Sequence, residues 1–372
     1  MKIISRIAVG LLVVTTLAVV ALAVFISHDA PCEPAPALTA GAGRMHAIVY
    51  RCYGPPEVLQ YEETESPVPA EDEVLVNIRS ASVNPLDWHY MRGSPYVMRL
   101  GSGIGSPTDQ SLGTDFAGTV EAVGRKVTRF KPGDQVFGGG NGSFAQQIVV
   151  RESGAIASKP ADVSFEQAAA IPIAGVTALQ ALRDKGKIRP GMKVLVNGAS
   201  GGVGTFAIQL AKHFGAEVTG VSSGRNIELV RSLGADHVID YTRESYLDSD
   251  RKYDLILDNV GNHSPRSNAR VLTADGTLVM IGGPGGDWVG PLGNPLAALA
   301  LSPFVDQDFV VFMAQLNPED LALLAELAQS GKVTPVIDRR FTLAEVPAAI
   351  RYSEEGRARG KIVIDVEDPL PR

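Results

Sequence analysis

Hydrophobic positions along the chain fall into three regimes. Ile7–Ile26 is an uncharged apolar run of 20 residues preceded by Lys2 and Arg6. At about 1.5 Å of rise per residue, a helix of that length covers roughly 30 Å, the hydrocarbon thickness of a bilayer. Residues 1–26 are therefore predicted to form a single-pass signal anchor, a transmembrane helix that places the protein at a membrane. A cleaved signal peptide is the alternative, but its apolar region is typically shorter, and the small-x-small site Ala21-Leu22-Ala23 lies inside the run. The positive-inside rule would carry the remaining chain across the membrane. A working start at Met45 is a further way to account for the segment. Residues 27–44, rich in alanine and proline without periodicity, read as a linker.

From Met45 the pattern changes to short apolar runs separated by turns. His46–Tyr50, Glu73–Ile78, Gly118–Val123 and Gln135–Phe137 are predicted strands, and Lys131-Pro132-Gly133-Asp134 is a tight turn. Ser164 and Gln167 have capping-box spacing, and Pro172 is predicted to interrupt the helix they open. The third regime alternates strand and helix. Val194–Val196 leads through Asn197–Gly204 into a segment whose apolar Val203, Phe206, Ala207, Leu210, Ala211 and Phe214 share one helix face, with Gly215 at its end. Glu217–Val221, His237–Asp240, Tyr253–Asp258, Gly276–Ile281 and Lys361–Val366 follow as strands. Asn317-Pro318-Glu319-Asp320 opens a further helix with cap, proline and acidic first turn in order, and Gly331 ends it.

Chemistry enters at the turn after Val196. Ala199-x-Gly201-x-x-Gly204, between a buried strand and an amphipathic helix, is a variant of the dinucleotide fingerprint. In this reading Ser200, Gly201, Gly202, Val203 and Gly204 hold a pyrophosphate on free backbone N–H groups at the helix start. The second strand ends in Ser222-Ser223-Gly224-Arg225. An acidic residue that would accept the ribose hydroxyls of NAD is missing there, whereas Ser222, Ser223 and Arg225 suit a 2′-phosphate. NADP(H) is the predicted cofactor, with Tyr241 packing at the same phosphate end. Alternatively, Arg225 is a solvated residue opening the helix Asn226–Leu233.

Composition narrows the class. Length (372 residues) allows two domains, and 45% hydrophobic with 20% charged residues is ordinary for a globular enzyme. A net charge of −7 without a basic, aromatic-rich cluster argues against nucleic acid as a partner. Two cysteines, Cys32 and Cys52, exclude a disulfide framework and leave the redox compartment unread. The six histidines lack ligand spacing, so no metal site is predicted.

Residues 45–372 resemble a known family. The motifs are Met45–Tyr50, Asn84-Pro85-Leu86-Asp87, Gly113–Gly118, Gly198–Gly204, Asp258-Asn259-Val260-Gly261 and Gly360–Ile364. In this order they are similar to the medium-chain dehydrogenase/reductases, specifically their zinc-independent quinone oxidoreductase-like branch. The resemblance implies an α/β fold: a GroES-like β-rich domain over 45–170, completed by 316–372, around a doubly wound, parallel Rossmann NADP-binding domain over 171–315. It also implies a substrate cleft between the domains and, commonly, a homodimer. Where zinc-dependent branches carry Gly-His-Glu, this chain has Gly113-Thr114-Asp115.

By the same resemblance Asn84 lies close to nicotinamide and substrate, and Thr177, Asn259, Gly282 and Gly283 lie along the cofactor. Asn84-Pro85 also makes a good helix cap, so a structural role is open. Without a Lewis acid, hydride acceptors such as quinones and α,β-unsaturated carbonyls are favoured over ordinary alcohols. Tyr90 or water would supply the proton. The expected activity is NADPH-dependent reduction of a small-molecule quinone or activated carbonyl. A zinc-free alcohol or aldehyde oxidoreductase and a non-catalytic NADPH-sensing interaction protein are the alternatives.

Overall fold

Alternating burial along the early strands builds an antiparallel sheet, and near-continuous apolar strands build a parallel one. The computed structural model describes residues 2–283, 285–288 and 290–367, with side chains throughout except at 2–12 and 291. Residues 282–293 and the end of the 316–372 segment thus lie partly outside the described residues. In chain order the leading elements are α1 (Lys2–Ser27), β1 (Arg44–Val49), β2 (Gln60–Glu65), β3 (Glu73–Val83) and α2 (Pro85–Arg92). They are followed by β4 (Asp115–Val123), β5 (Gln135–Gly139), β6 (Gln147–Arg151) and β7 (Ile156–Ser158). The second half carries β8 (Lys193–Asn197), β9 (Glu217–Ser222), β10 (His237–Asp240), β11 (Tyr253–Asp258), β12 (Leu272–Met280) and β13 (Asp308–Val311). Two last strands, β14 (Ile337–Thr342) and β15 (Lys361–Asp365), return to the first sheet.

That sheet runs β14-β15-β3-β4-β5-β7, with β6 also paired to β3. β1 and β2 pair as a separate two-stranded sheet, and a third sheet runs β10-β9-β8-β11-β12-β13, parallel throughout. Its central strands bury Val194, Leu195, Val196, Leu255, Ile256 and Leu257 completely, as parallel strands covered on both faces require. β3 extends well past the predicted Ile78. Its second half, Arg79–Val83, reads as polar, but Ser80 and Ser82 are buried between β4 and β15. Pro172 does interrupt: one helix, Phe165–Ala169, carries the Ser164–Gln167 capping box, and Pro172 opens the next, Pro172–Gln180.

The N-terminal expectation is corrected. α1 is helical over Lys2–Ser27, but among the described residues no helix is long and apolar enough to cross a membrane. The single-pass transmembrane anchor is therefore not upheld, nor is the membrane location that rested on it.

Past α1 the chain is tied to the first sheet's domain. Cys32 and Cys52 form a disulfide with their Cα atoms 4.7 Å apart. The Ala30 N–H donates to Gly105 O at 2.8 Å, and the Thr39 N–H to Glu65 Oε1 at 2.6 Å. Arg99, almost wholly buried, donates to the carbonyl of His28 at 3.0 Å and to the Asp29 carboxylate at 2.8 Å. Closing a loop across a sequence separation of 20 should stabilise the fold by roughly 3 kcal/mol through the unfolded chain. A Cys32→Ser/Cys52→Ser double variant is expected to lose about that much in guanidinium unfolding; an unchanged midpoint would show that the hydrogen bonds alone hold the segment.

Candidate active site

The turn between β8 and the helix Gly202–His213 is built by close backbone packing. A Cβ at Gly204 would sit 2.2 Å from Gly198 O, so the helix can lie this near the strand only without a side chain there. At Gly201 a Cβ would meet nothing closer than 3.5 Å, which leaves an open face over the N-terminus of a 12-residue helix. Two buried amide oxygens flank this loop without a hydrogen-bond partner, Asn226 Oδ1 and Asn259 Oδ1. Buried acceptors of this kind call for a donor. An open glycine loop at a helix N-terminus between two unpaired acceptors fits a dinucleotide.

Ser222, Ser223, Arg225 and Tyr241 gather at the C-terminal ends of β9 and β10. Ser222 is buried, the Tyr241 side chain is exposed, and the Tyr241 N–H donates to Ser222 O at 3.1 Å. Arg225 donates to the carbonyl of Arg357 at 2.9 Å, so the C-terminal segment carrying Arg357 and Arg359 reaches this corner. Asn226 donates from Nδ2 to Ser200 Oγ at 2.9 Å and to Ser223 Oγ at 3.3 Å, joining the glycine loop to the end of β9.

A carboxylate that the local reading missed is here too. Parallel register sets Asp240 beside Ser222, and a Cβ at Gly224 would lie 2.7 Å from Asp240 Oδ2. Asp240 accepts from the hydroxyl of Thr242 at 2.7 Å and from its N–H at 3.0 Å. Those bonds hold it below the usual carboxylate range, and so ionised.

On the far side of the glycine loop, Asn259 donates from Nδ2 to Asn197 O at 2.9 Å. Gly282 lies so close that a Cβ would be 2.1 Å from Asn259 O, and a Cβ at Gly261 would be 2.6 Å from Gly283 Cα. Thr177 is buried on the helix Pro172–Gln180, which packs on Gly202–His213.

A buried charged cluster ties three strands of the first sheet to the helix Pro172–Gln180. Asp115, at the start of β4, is fully buried. Its Oδ2 accepts from Ser82 Oγ at 2.9 Å, Asn84 Nδ2 at 2.9 Å and Lys361 Nζ at 3.2 Å. Its Oδ1 accepts from the Ile173 N–H at 3.0 Å, at the start of the helix Pro172–Gln180. Lys361 also donates to Asn84 Oδ1 at 2.5 Å. Asn84 stands at the cap position of α2, but its side chain makes no capping bond and turns to Lys361 and Asp115 instead. The cap is made by Asp87, whose Oδ2 accepts from the Asn84 backbone N–H at 2.7 Å; Arg92 pairs with Glu354, not with Asp87. Tyr90, on α2, is 37% exposed.

An aromatic cluster gathers around Arg99. Its guanidinium lies over the rings of Tyr53, at 4.5 Å, and Tyr96, at 4.6 Å. Tyr96 meets Trp288 edge-on at 4.7 Å, and its N–H donates to Asp287 O at 2.7 Å. Tyr96 and the pair Asp287 and Trp288, from different halves of the chain, touch there.

The sequence pointed to neither Lys361 nor Asp115 as site residues, nor to Asn226 and Asp240. Lys361 and Asp115 meet across most of the chain, Asn226 reaches over to Ser200, and Asp240 comes beside Ser222 only through strand register. Among the described residues no group of three or more His, Cys, Asp or Glu could hold a metal, and both cysteines are in the disulfide. The residues present do not fit a zinc ion.

Burial pushes the Asp87 carboxyl up to about 7; Asp115 adds to this, and the Asn84 N–H and Lys361 oppose it. The folded state therefore binds more protons than the unfolded state, whose aspartate titrates near 4. This contribution to stability is fully present below pH ~4 and is lost as pH rises through about 7. Asp87→Asn, which keeps an acceptor for Asn84, should gain stability relative to the parent between pH 5 and 7, by up to roughly 1.4 kcal/mol per pH unit. Parallel urea titrations check this, and a pH-independent difference would mean that Asp87 is ionised throughout.

Comparison with known proteins agrees with this architecture. Residues 70–161 match the family described as alcohol dehydrogenase GroES-like domain, and residues 233–364 match that described as zinc-binding dehydrogenase. The chain is 37% identical over 344 residues to 2-methylene-furan-3-one reductase of Solanum lycopersicum, covering 88% of this chain and 80% of that protein. It is 34% identical to the chloroplast envelope quinone oxidoreductase homolog of Arabidopsis thaliana, covering 86% of this chain and 98% of that one. Among solved structures it is similar to the quinone oxidoreductase of Coxiella burnetii, with TM-score 0.76 and 30% identity over 87% of this chain and 100% of that one. The quinone oxidoreductase of Escherichia coli complexed with NADPH gives TM-score 0.75 and 27% identity, over 86% of this chain and 100% of that one. The chain belongs to the medium-chain dehydrogenase/reductase superfamily, in its zinc-independent quinone oxidoreductase-like branch.

Proposed function

We propose that this protein is a zinc-independent, NADPH-dependent oxidoreductase that reduces a quinone or an α,β-unsaturated or otherwise activated carbonyl. The observation that carries the reading is the position of Lys361. Its ammonium bonds Asn84, while a Cβ on Gly202 of the dinucleotide loop would lie 3.4 Å from its Cδ. One side chain thus separates the Asn84 amide from the cofactor loop. The names of relatives, among them a quinone oxidoreductase homolog and an NADPH-dependent alkenal/one oxidoreductase, support the acceptor class.

Bound NADPH supplies the hydride; this chain's residues place the acceptor and manage charge and water. The open face at Ser200–Gly204 receives the pyrophosphate, with Thr177, Asn259, Gly282 and Gly283 along the nicotinamide half. Asn84 faces the acceptor, and Tyr90 or water on the exposed side of α2 delivers the proton.

Purified protein is expected to oxidise NADPH rapidly with quinones or enones, slowly with simple aldehydes, and to leave alcohols unoxidised with NADP⁺. Absorbance of the reduced nicotinamide reads this directly. NADPH binding without acceptor-dependent oxidation would sink the reductase reading, and efficient alcohol oxidation would move it to the alcohol dehydrogenase class.

Preference for NADPH over NADH rests on Ser222, Ser223, Arg225 and Tyr241 at the ribose corner. Asp240 opposes it less than its proximity suggests, because Arg243 lies 3.6 Å from its carboxylate and offsets the charge. Arg225→Ala should weaken NADPH binding by about tenfold, the worth of one charge-assisted bond to phosphate, and leave NADH binding unchanged. Asn226→Asp, with an acceptor-only side chain in the same corner, should reverse the preference towards NADH. Titration of nicotinamide fluorescence measures both, and equal losses for the two cofactors would remove the 2′-phosphate assignment.

A further inference from the structure

We propose that Lys361 is a positioning residue that locks Asn84 as a hydrogen-bond donor to the acceptor's carbonyl oxygen. This inference rests on the reductase reading above and adds the means by which negative charge on the acceptor is stabilised.

Lys361 is 3% exposed and has three N–H donors, which meet three acceptors: Asn84 Oδ1 at 2.5 Å, Val83 O at 3.2 Å and Asp115 Oδ2 at 3.2 Å. No donor is left on it for a substrate. The Asn84 amide is held in one orientation, with its oxygen against the ammonium and one Nδ2 hydrogen on the Asp115 carboxylate at 2.9 Å. The reversed amide would set NH₂ against the ammonium and oxygen against the carboxylate, two repulsive contacts in a buried site. Fixed this way, Asn84 has one further Nδ2 hydrogen. A cation on the amide oxygen draws electrons from that nitrogen and strengthens the donor.

An acceptor of this class needs such a donor. As hydride forms a C–H bond at the β-carbon, the C=C pair moves to the α-carbon–carbonyl bond, and the C=O pair becomes an enolate oxygen. The cofactor is oxidised, the acceptor is reduced, and a proton from water at the α-carbon completes the balance. Negative charge develops on the oxygen, where a preorganised donor lowers the barrier. The neighbouring Gly360 N–H donates to Ser200 O at 2.9 Å, so a purely structural effect of Lys361 would also disturb cofactor binding.

The test is a double-mutant cycle of Lys361→Met, Asn84→Ala and their combination, with Asn84→Asp as a fourth variant. Melting curves, the NADPH dissociation constant from nicotinamide fluorescence, and kcat and KM with an enone are measured for each. Asn84→Ala and Asn84→Asp are expected to lower kcat roughly 100-fold. Lys361→Met should lower it at least about tenfold with NADPH affinity within about twofold of the parent, and add less than about twofold to Asn84→Ala. Losses that multiply across the cycle, or a parallel loss of NADPH affinity, would overturn the inference. Asn84→Asp keeps an oxygen for Lys361 but removes the donor, so parental kcat in that variant would overturn it too, even if Lys361→Met fails to fold. A parent protein that binds NADPH but reduces no acceptor would remove the reductase reading and this inference together. An active parent with multiplying losses would remove the inference alone.

Discussion

The fold turns on one buried carboxylate. Asp115 accepts from a serine and an asparagine on or next to β3, from a lysine on β15, and from the first turn of the helix Pro172–Gln180. Burying it costs several kcal/mol, which its cationic partner and three dipoles offset only together. Losing one partner of such a buried pair typically costs about 3–5 kcal/mol. The first sheet and the helix Pro172–Gln180 are therefore tied together by the same atoms that orient Asn84. Domain placement and site geometry are one constraint, and a change that loosens the joint displaces the amide.

That constraint was not legible in the chain. The strand–turn–helix at 193–214 was, because its signal is local: a buried run, glycines at fixed offsets and an apolar helix face. Asp115 drew notice only for standing where other branches carry a zinc ligand, and Lys361 only as part of a terminal strand. Their meaning depends on segments separated by 246 positions. Asn84 was read both as a helix cap and as a site residue; it holds the cap position, while its side chain serves the cluster and Asp87 makes the capping contact. The ribose corner shows the same limit. A window ending at Arg225 contains no carboxylate, yet parallel register brings Asp240 beside Ser222.

The N-terminal segment separates pattern from context in another way. The length of an uncharged apolar run identified α1 as a helix, but nothing local told what residues 27–44 do. Arg99 looked like one loop residue among many; it is buried, and it joins the end of α1 to two tyrosines and, through Tyr96, to Trp288. A lone pair of cysteines could not declare its pairing either. Together these contacts make an irregular segment into a brace behind the aromatic cluster.

Acceptor choice follows from the electrostatics that the site can offer. A zinc ion stabilises a localised alkoxide strongly enough for simple alcohols, but it needs three ligands that the described residues do not assemble. A single polarised amide donor, worth about 3–4 kcal/mol at best, is too weak for that task. It is adequate where the charge is already delocalised, as in an enolate or a hydroquinone anion, because most of the stabilisation then resides in the acceptor itself. The buried lysine raises the donor's strength without exposing a cation that water would screen. A site so arranged selects substrates by how far they spread an incoming electron pair.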